Sequence, residues 1–207
     1  MSILAFPSRT PRSQWRNSRL FAQANNGSAT IETLPSWFSF FTRFIVEVEA
    51  PVGTSVVLGS RLIPKALFES AAGRARLVAH LVKQTGELGF PYIPVGTPIA
   101  FNYIPGTTSV TPAWRTALWH LTGGSTWSYN STLAEIRAAL NATHSFVNEE
   151  LAALAPDSGS YMNEGDVYES NHEYTYWGPN YERLLAIKKE IVLTLRIFWI
   201  AGDAVRW

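Results

Sequence analysis

The sequence predicts one large domain of mixed α-helices and β-strands, and three observations lead to that prediction. Residues 113–122 alternate between two sets of side chains, which is typical of a strand whose faces meet different environments. Residues 133–154 instead place aliphatic side chains at helical intervals. Hydrophobic residues make up 46% of the 207 residues, enough for a substantial core. Because strands and long helices interleave, a parallel α/β arrangement also agrees with this order.

The N-terminal part contains an arginine-rich stretch followed by an aromatic one. Residues 1–31 contain no Asp or Glu and carry recurring arginines among Ser and Thr, a composition typical of organelle transit peptides. No strong amphipathic apolar face accompanies the arginines, so we favour an interior piece of the domain instead. Residues 34–48 contain one tryptophan and four phenylalanines. We expect this aromatic segment to pack in the core or to cover the mouth of a pocket.

Shorter patterns predict the elements between these stretches. Residues 56–58 predict a buried strand, and residues 99–104 predict another strand that a Pro-Gly turn closes. Pro64 opens a predicted helix that Gly86 and Gly89 end. The apolar positions of this helix are Leu67, Phe68, Leu77, Val78, Leu81 and Val82.

The C-terminal part begins with a helix over residues 133–154. Thr132 and Glu135 have the spacing of a capping box, so the helix is expected to start there and to cover a sheet. A turn then leads into the stretch 160–191. Its first half is polar, aromatic and strand-like, and its second half predicts a helix that begins at Gly178-Pro179. The composition is consistent with a ligand-receiving surface and equally with an ordinary loop packed on the helix.

Several classes of function lack support in the sequence. The net charge is +1, so the global balance does not indicate nucleic acid or an anionic membrane as a partner. The absence of cysteine excludes disulfides and thiolate metal sites. The acidic residues of the stretch 160–191 do not have EF-hand spacing, and the four histidines form no metalloprotease pair, so we expect no metal site. The apolar run at 197–201 is too short to span a bilayer.

Three segments carry a resemblance to a known family. The motif YMNE at 161–164, followed by YWGPNYERL at 176–184, resembles the C-terminal signature of the berberine-bridge-enzyme-like flavin oxidases, in the variant of the fungal branch. Residues 51–62 and 110–120 resemble two segments of that family's substrate domain. The matching segments have the family's order and run from residue 51 to residue 191.

The resemblance implies a fold and a division of the chain. These FAD-linked oxidoreductases have a vanillyl-alcohol-oxidase-type fold, so we expect the α+β class, with a mostly antiparallel sheet covered by helices. Residues 1–50 would be the uncertain start of the substrate domain and residues 51–159 its core. Residues 160–191 would be the flavin-facing segment with its closing helix, and residues 192–207 are a tail that departs from the family. The family's N-terminal FAD-binding domain, with its His and Cys for covalent flavin attachment, has no counterpart in this sequence.

The resemblance also implies chemistry and candidate residues. Such oxidases pass a hydride from a substrate to FAD while a side-chain base takes a proton. The candidates for catalysis are Tyr161 and Glu164, either of which would be the base while the other orients the substrate. Asn163 and Asn180 are the candidates for contacts with FAD, although Asn180 would equally cap the last helix. His120 is a candidate substrate contact, although a lone histidine on a strand is more often structural.

The expected function is oxidation of a small hydroxylated or aromatic metabolite, within fungal secondary metabolism if the chain follows its relatives. A separately encoded FAD-binding half is an expected partner beside the substrate. The alternative is a non-catalytic protein, either a degenerate fragment or a module that binds a small molecule or glycan without flavin. Three acceptor sequons, at Asn26, Asn130 and Asn141, suggest a glycoprotein because the family is often secreted, whereas no signal peptide is recognisable.

Overall fold

The chain forms two compact units, Met1–Val52 and Gly53–Trp207. The first contains helix α1 (Arg12–Ala24) and helix α2 (Trp37–Phe44). The second contains a three-stranded sheet and the remaining helices. The residues described by the computed structural model are 12–30, 32–46, 55–87, 93–97, 99 and 102–195.

The aromatic segment forms α2, which Ser36 caps by accepting a hydrogen bond from the Ser39 N–H at 3.1 Å. Phe40 is buried, whereas Trp37 and Phe38 expose 66% and 74% of their surfaces. Core packing is therefore confirmed for Phe40 and wrong for Trp37 and Phe38, and the alternative, that the segment covers the mouth of a pocket, stays a prediction. A single helix buries only the face that meets a neighbour, so aromatic density alone does not bury every ring.

The sheet consists of β1 (Ser55–Pro64), β2 (Ile93–Gly96) and β3 (Ala117–Trp127), in the order β1-β3-β2. Both outer strands run antiparallel to β3. The predicted α+β class with an antiparallel sheet is thereby confirmed, and the parallel alternative is wrong. β1 is longer than the strand predicted over residues 56–58. It is only partly buried at its start, where Val56 is exposed and Val57 is buried.

Two strand predictions need correction. The strand predicted over 99–104 is not formed by its described residues, and a strand lies instead at Ile93–Gly96. That strand contains Pro94, which an edge position tolerates because one side of the strand has no hydrogen bonds to make. The strand predicted from residue 113 begins only at Ala117. It is preceded by a 3-10 turn, Pro112–Arg115, because proline favours the start of a helical turn.

Helices pack on one face of the sheet and form the core with it. The helix predicted to begin at Pro64 is two helices, α3 (Lys65–Glu69) and α4 (Ala71–Glu87). α4 runs past Gly86, and Gly89 lies outside the described residues. The next elements are α5 (Leu133–His144), a π-helical turn (Ser145–Leu151) and α6 (Ala152–Leu154). The buried core residues are Ile63, Leu77, Leu121, Phe146, Val147, Leu151 and Leu154.

The predicted capping box at the start of α5 is confirmed. The Thr132 hydroxyl accepts a hydrogen bond from the Glu135 N–H at 3.3 Å, and the Glu135 carboxylate accepts one from the Thr132 N–H at 2.6 Å. Replacing Thr132 with alanine is expected to lower the free energy of unfolding by about 1 kcal/mol, measured by urea denaturation. The matched variant Ser131→Ala lies outside the cap and is expected to change it by less than about 0.5 kcal/mol.

The cap also predicts a dependence on pH. The Thr132 N–H and then the Thr132 hydroxyl hold the pKa of Glu135 below its ordinary value. The stabilisation that depends on the charged carboxylate is therefore complete at neutral pH and is lost as the pH falls through that lowered pKa. The difference in stability between the wild type and Glu135→Gln, which removes the charge, should shrink in acid. A difference that stays constant down to acid pH would contradict the role of the charge.

The stretch 160–191 is helical rather than strand-like. Its first half contains a 3-10 turn at Met162–Glu164 and the helix α7 (His172–Trp177). The predicted closing helix is confirmed: a 3-10 turn at Gly178–Asn180 leads into α8 (Tyr181–Leu195). Gly178 has a φ of +56° and a ψ of −138°, a conformation open mainly to glycine. The apolar run of the tail lies outside the described residues, and none of the described helices is long and apolar enough to cross a membrane.

Candidate functional site

The segment after α6 lies along the outer edge of β1. The Leu62 N–H donates a hydrogen bond to the Gly159 carbonyl at 2.8 Å. The Ser160 hydroxyl donates to the Ser60 carbonyl at 2.5 Å, and the Tyr161 N–H donates to the Ser60 hydroxyl oxygen at 3.2 Å. These bonds attach the segment to β1, so they fix where the following residues lie against the sheet.

A buried ion pair fixes the same segment from the helix-covered face. Arg61 of β1 approaches Glu169 at 3.5 Å, and both side chains expose less than a tenth of their surface. The guanidinium also donates to the Ala155 and Pro156 carbonyls, both at 3.3 Å. Burial lowers the pKa of Arg61, and the charge of Glu169 opposes that shift. The chain on both sides of residues 158–161 is thereby tied to one strand.

This arrangement brings polar and aromatic side chains together on the sheet face opposite the core. His120 and Thr122 are neighbours on that face of β3, as their period-two spacing requires. Glu164 approaches from the 3-10 turn: its Oε2 accepts the Thr122 hydroxyl at 2.7 Å and lies 3.6 Å from His120 Nε2. The group, called here the strand-face cluster, comprises Trp114, His120, Thr122, Tyr161, Asn163 and Glu164.

Three rings pack against one another within the strand-face cluster. The ring centroid of His120 is 5.2 Å from that of Trp114 and 5.7 Å from that of Tyr161. Trp114 and Tyr161 meet edge to face at 5.9 Å. The Asn163 amide donates to the Tyr161 hydroxyl oxygen at 2.8 Å, which leaves the Tyr161 O–H free to donate outward.

The electrostatics of the cluster centre on His120, which exposes only 6% of its surface. Burial lowers the pKa of His120, and the Glu164 carboxylate opposes that shift. The neutral imidazole is therefore favoured at neutral pH.

The structure places the predicted site residues in two locations. Tyr161, Asn163, Glu164 and His120 come together in the strand-face cluster, where Tyr161 and Asn163 are exposed and Glu164 is half-buried. Asn180 is engaged elsewhere: its amide donates to the Val110 carbonyl at 2.9 Å and to the Ser109 carbonyl at 3.4 Å. The chemical roles of all five residues remain predictions.

Sequence reasoning did not single out Thr122 or Trp114. The alternation of β3 placed Thr122 on the face of His120, so that signal was available for Thr122. The contact of Thr122 with Glu164 was not, because the two residues are 42 positions apart. The predicted alternation also placed Trp114 on the face of His120, and the two rings do meet, although Trp114 lies in the 3-10 turn before β3.

A second polar cluster nearby has a structural role. The buried Asp166 carboxylate contacts His144 Nδ1 at 2.6 Å and accepts hydrogen bonds from the Asn148 amide and the Tyr168 N–H. The Tyr176 hydroxyl donates to the Asp166 carbonyl at 2.5 Å, and burial and then nearby carboxylates raise the pKa of Tyr176. These bonds tie the loop after Glu164 to the end of α5, to the π-helical turn and to α7.

The donor set of the strand-face cluster fits a flavin ring better than a metal ion. A phenol and a carboxamide lie exposed side by side, and such groups pair with the donors and acceptors along the edge of an isoalloxazine. Within the part of the chain that the structure describes, no three His, Cys, Asp or Glu residues are grouped to hold a metal ion.

The sequence matches a known family and its fungal members. The profile of the family described as berberine and berberine like matches residues 160–191. The FAD-linked oxidoreductase cheF of Chaetomium globosum is 32% identical over 169 residues, which are 81% of this chain and 27% of that protein. The FAD-linked oxidoreductase OXR2 of Pyricularia oryzae is 33% identical over 82% of this chain and 30% of its own length. The chain thus spans about three tenths of these relatives.

Solved structures agree with the fold. The VAO-type flavoprotein MtVAO713 of Myceliophthora thermophila superposes with a TM-score of 0.56, at 20% identity, over 82% of this chain and 28% of its own. MtVAO615 of the same organism gives a TM-score of 0.60, at 22% identity, over 75% of this chain and 28% of its own. At these identities the likeness shows the fold alone. With the family profile and the fungal relatives, it shows that this chain has the VAO-type fold and is similar to one part of the berberine-bridge-enzyme-like, FAD-linked oxidoreductases.

Proposed function

We propose that this chain supplies the substrate-facing wall of an FAD-linked oxidoreductase that oxidises a small hydroxylated or aromatic metabolite. One observation carries the proposal: a carboxylate, a phenol and a carboxamide lie together on the sheet face opposite the core, within the family's signature stretch. The fungal relatives are named FAD-linked oxidoreductases, which supports a role in fungal metabolism. A role in secondary metabolism is part of the proposal.

In this proposal Glu164 is the proton acceptor. Oxidation of a hydroxylated carbon removes a hydride, which bound FAD accepts, and a hydroxyl proton, which the carboxylate takes. The Glu164 side chain exposes 34% of its surface, so a substrate can reach it. Its inner oxygen is held by Thr122 at 2.7 Å, and this contact limits the directions in which the other oxygen can point.

Tyr161 and Asn163 orient the reactants in the same proposal. Because Asn163 donates to the Tyr161 oxygen, the Tyr161 proton is available for a substrate or flavin oxygen. Asn163 keeps its carbonyl oxygen as an acceptor for a donor on the flavin ring. In the same proposal, His120 would form a neutral, buried surface behind the substrate. The Asn180 amide anchors residues 109–110, so only its carbonyl oxygen would be available to contact FAD.

The proposal predicts uptake of FAD at the strand-face cluster. The chain is titrated with FAD, alone and together with the part of OXR2 that this chain does not match, and bound flavin is measured by visible absorbance and quenched flavin fluorescence. Asn163→Ala is expected to weaken uptake about 10-fold, as the loss of one hydrogen bond of about 1.4 kcal/mol would. The matched variant Asn141→Ala, on the exposed surface of α5, is expected to bind like the wild type.

Two outcomes decide against the proposal. Absence of flavin uptake in both mixtures would favour the non-catalytic alternative, a module that binds a ligand without flavin. Equal uptake by the wild type and Asn163→Ala would place any flavin site elsewhere on the chain. Uptake only in the mixture with the OXR2 part would support a separate FAD-binding half as partner.

A further inference from the structure

Thr122 occupies a rigid position at the centre of the sheet. It is 7% exposed and lies opposite Ser60 of β1 and Ile93 of β2, so strands flank it on both sides. Its branched side chain restricts χ1, which fixes the direction of the hydroxyl. That hydroxyl lies 2.7 Å from Glu164 Oε2 and 3.4 Å from His120 Nε2.

We propose that Thr122 is the positioning residue of the strand-face cluster: its hydroxyl holds one oxygen of Glu164 beside His120 and leaves the other oxygen for an incoming hydroxyl group. That this positioning serves catalysis depends on the proposed function, whereas the positioning of Glu164 by Thr122 depends only on the distances in the structure. A hydroxyl has a single proton to donate, and the carboxylate at 2.7 Å is its nearer and stronger acceptor.

The direction of the Thr122 hydroxyl argues against a merely local role. Threonine hydroxyls commonly satisfy themselves on backbone groups of their own segment. Here the hydroxyl contacts a side chain 42 positions away that lies in a 3-10 turn rather than in the sheet. Glu164 is half-buried beside a buried imidazole, and without this bond its three side-chain torsions would allow it to turn to solvent.

His120 reports on the position of the carboxylate. Among the residues that the structure describes, the titratable groups that face it are Glu164, at 3.6 Å, and Tyr161, whose ring meets it edge to face. Burial lowers the pKa of His120 and Glu164 raises it, so withdrawal of the carboxylate should lower the pKa of His120 further. This readout needs neither flavin nor substrate.

The experiment is an NMR titration of the histidine ring protons in the chain of 207 residues. The sequence has four histidines, and the resonance of His120 is assigned by its absence in His120→Gln. Glu164→Gln is expected to lower the titration midpoint of His120. Thr122→Val, which keeps the shape but removes the donor, should shift it in the same direction by less. Thr122→Ser, which restores the donor, should return it to the wild-type value.

A double variant tests whether Thr122 acts on His120 through Glu164. If Thr122 acts through Glu164, adding Thr122→Val to Glu164→Gln should leave the His120 midpoint where Glu164→Gln alone placed it. The proposal is overturned if Thr122→Val leaves the midpoint unchanged, or if its effect persists in the double variant. The dispersion of the amide resonances shows whether Thr122→Val folds. If it does not fold, the test uses Thr122→Ser, and the proposal is overturned if folded Thr122→Ser does not keep the wild-type His120 midpoint. If the chain does not bind FAD, the proposed function is wrong, but the NMR results on the position of Glu164 still hold.

Discussion

Replacement of Glu169 by alanine is expected to lower the free energy of unfolding by about 3–5 kcal/mol, because it leaves the Arg61 charge buried without its partner. Arg61 and Glu169 expose 4% and 7% of their side-chain surfaces, so water does not replace the lost interaction. The substitution also removes the acceptor of the Asn171 N–H, which lies 3.1 Å from the Glu169 carboxylate. Urea unfolding followed by tryptophan fluorescence measures the change.

The control for this prediction replaces both partners. Arg61→Met with Glu169→Leu removes both buried charges and keeps apolar volume, so it should recover much of the lost stability. Recovery will be incomplete because Arg61 also donates to the Ala155 and Pro156 carbonyls, which then lose their donor. A loss below about 1 kcal/mol in Glu169→Ala would show that the pair does not hold the C-terminal segment to β1.

The second large effect is expected in the core under the sheet. Leu151 is fully buried in the cluster that joins the π-helical turn to β1 and β3. Truncation to alanine removes its packing and leaves a cavity, so Leu151→Ala is expected to cost about 2–5 kcal/mol. Differential scanning calorimetry should show the corresponding fall in Tm.

Leu133 provides a matched comparison because it has the same side chain at the start of α5 and is 69% exposed. Leu133→Ala is expected to change stability by less than about 0.5 kcal/mol, since little apolar surface is buried there. Equal losses in Leu133→Ala and Leu151→Ala would mean that the core does not lie between the sheet and this layer of helices.

The accuracy of the sequence-based predictions varied with the range of the interaction. The capping box of Thr132 and the closing helix after Gly178 were predicted correctly, because both depend on residues within one or two turns. The strand predicted over 99–104 was wrong for its described residues, because a short edge strand that contains Pro94 gives a weak local pattern. The exposed Trp37 shows the same limit, since composition does not say which face of a helix finds a neighbour.

The candidate site shows a similar division. The YMNE motif and its resemblance singled out Tyr161, Asn163 and Glu164, and the structure places all three beside His120. Thr122 was missed because its importance comes from a contact across 42 positions. Asn180 was grouped with the site by its motif, whereas its amide bonds to the Val110 carbonyl.

Local sequence patterns were enough to indicate the family resemblance, the helices with clear start signals and the alternating faces of β3, because each of these depends on residues within a short stretch. The tertiary structure alone decided which distant side chains meet. Two sets of contacts bring the signature stretch onto the face that carries His120. They are the hydrogen bonds of residues 158–161 to β1 and the Arg61–Glu169 contact across 108 positions. These long-range contacts depend on strand register and on the pairing of buried charges, and neither produces a periodic pattern in the sequence.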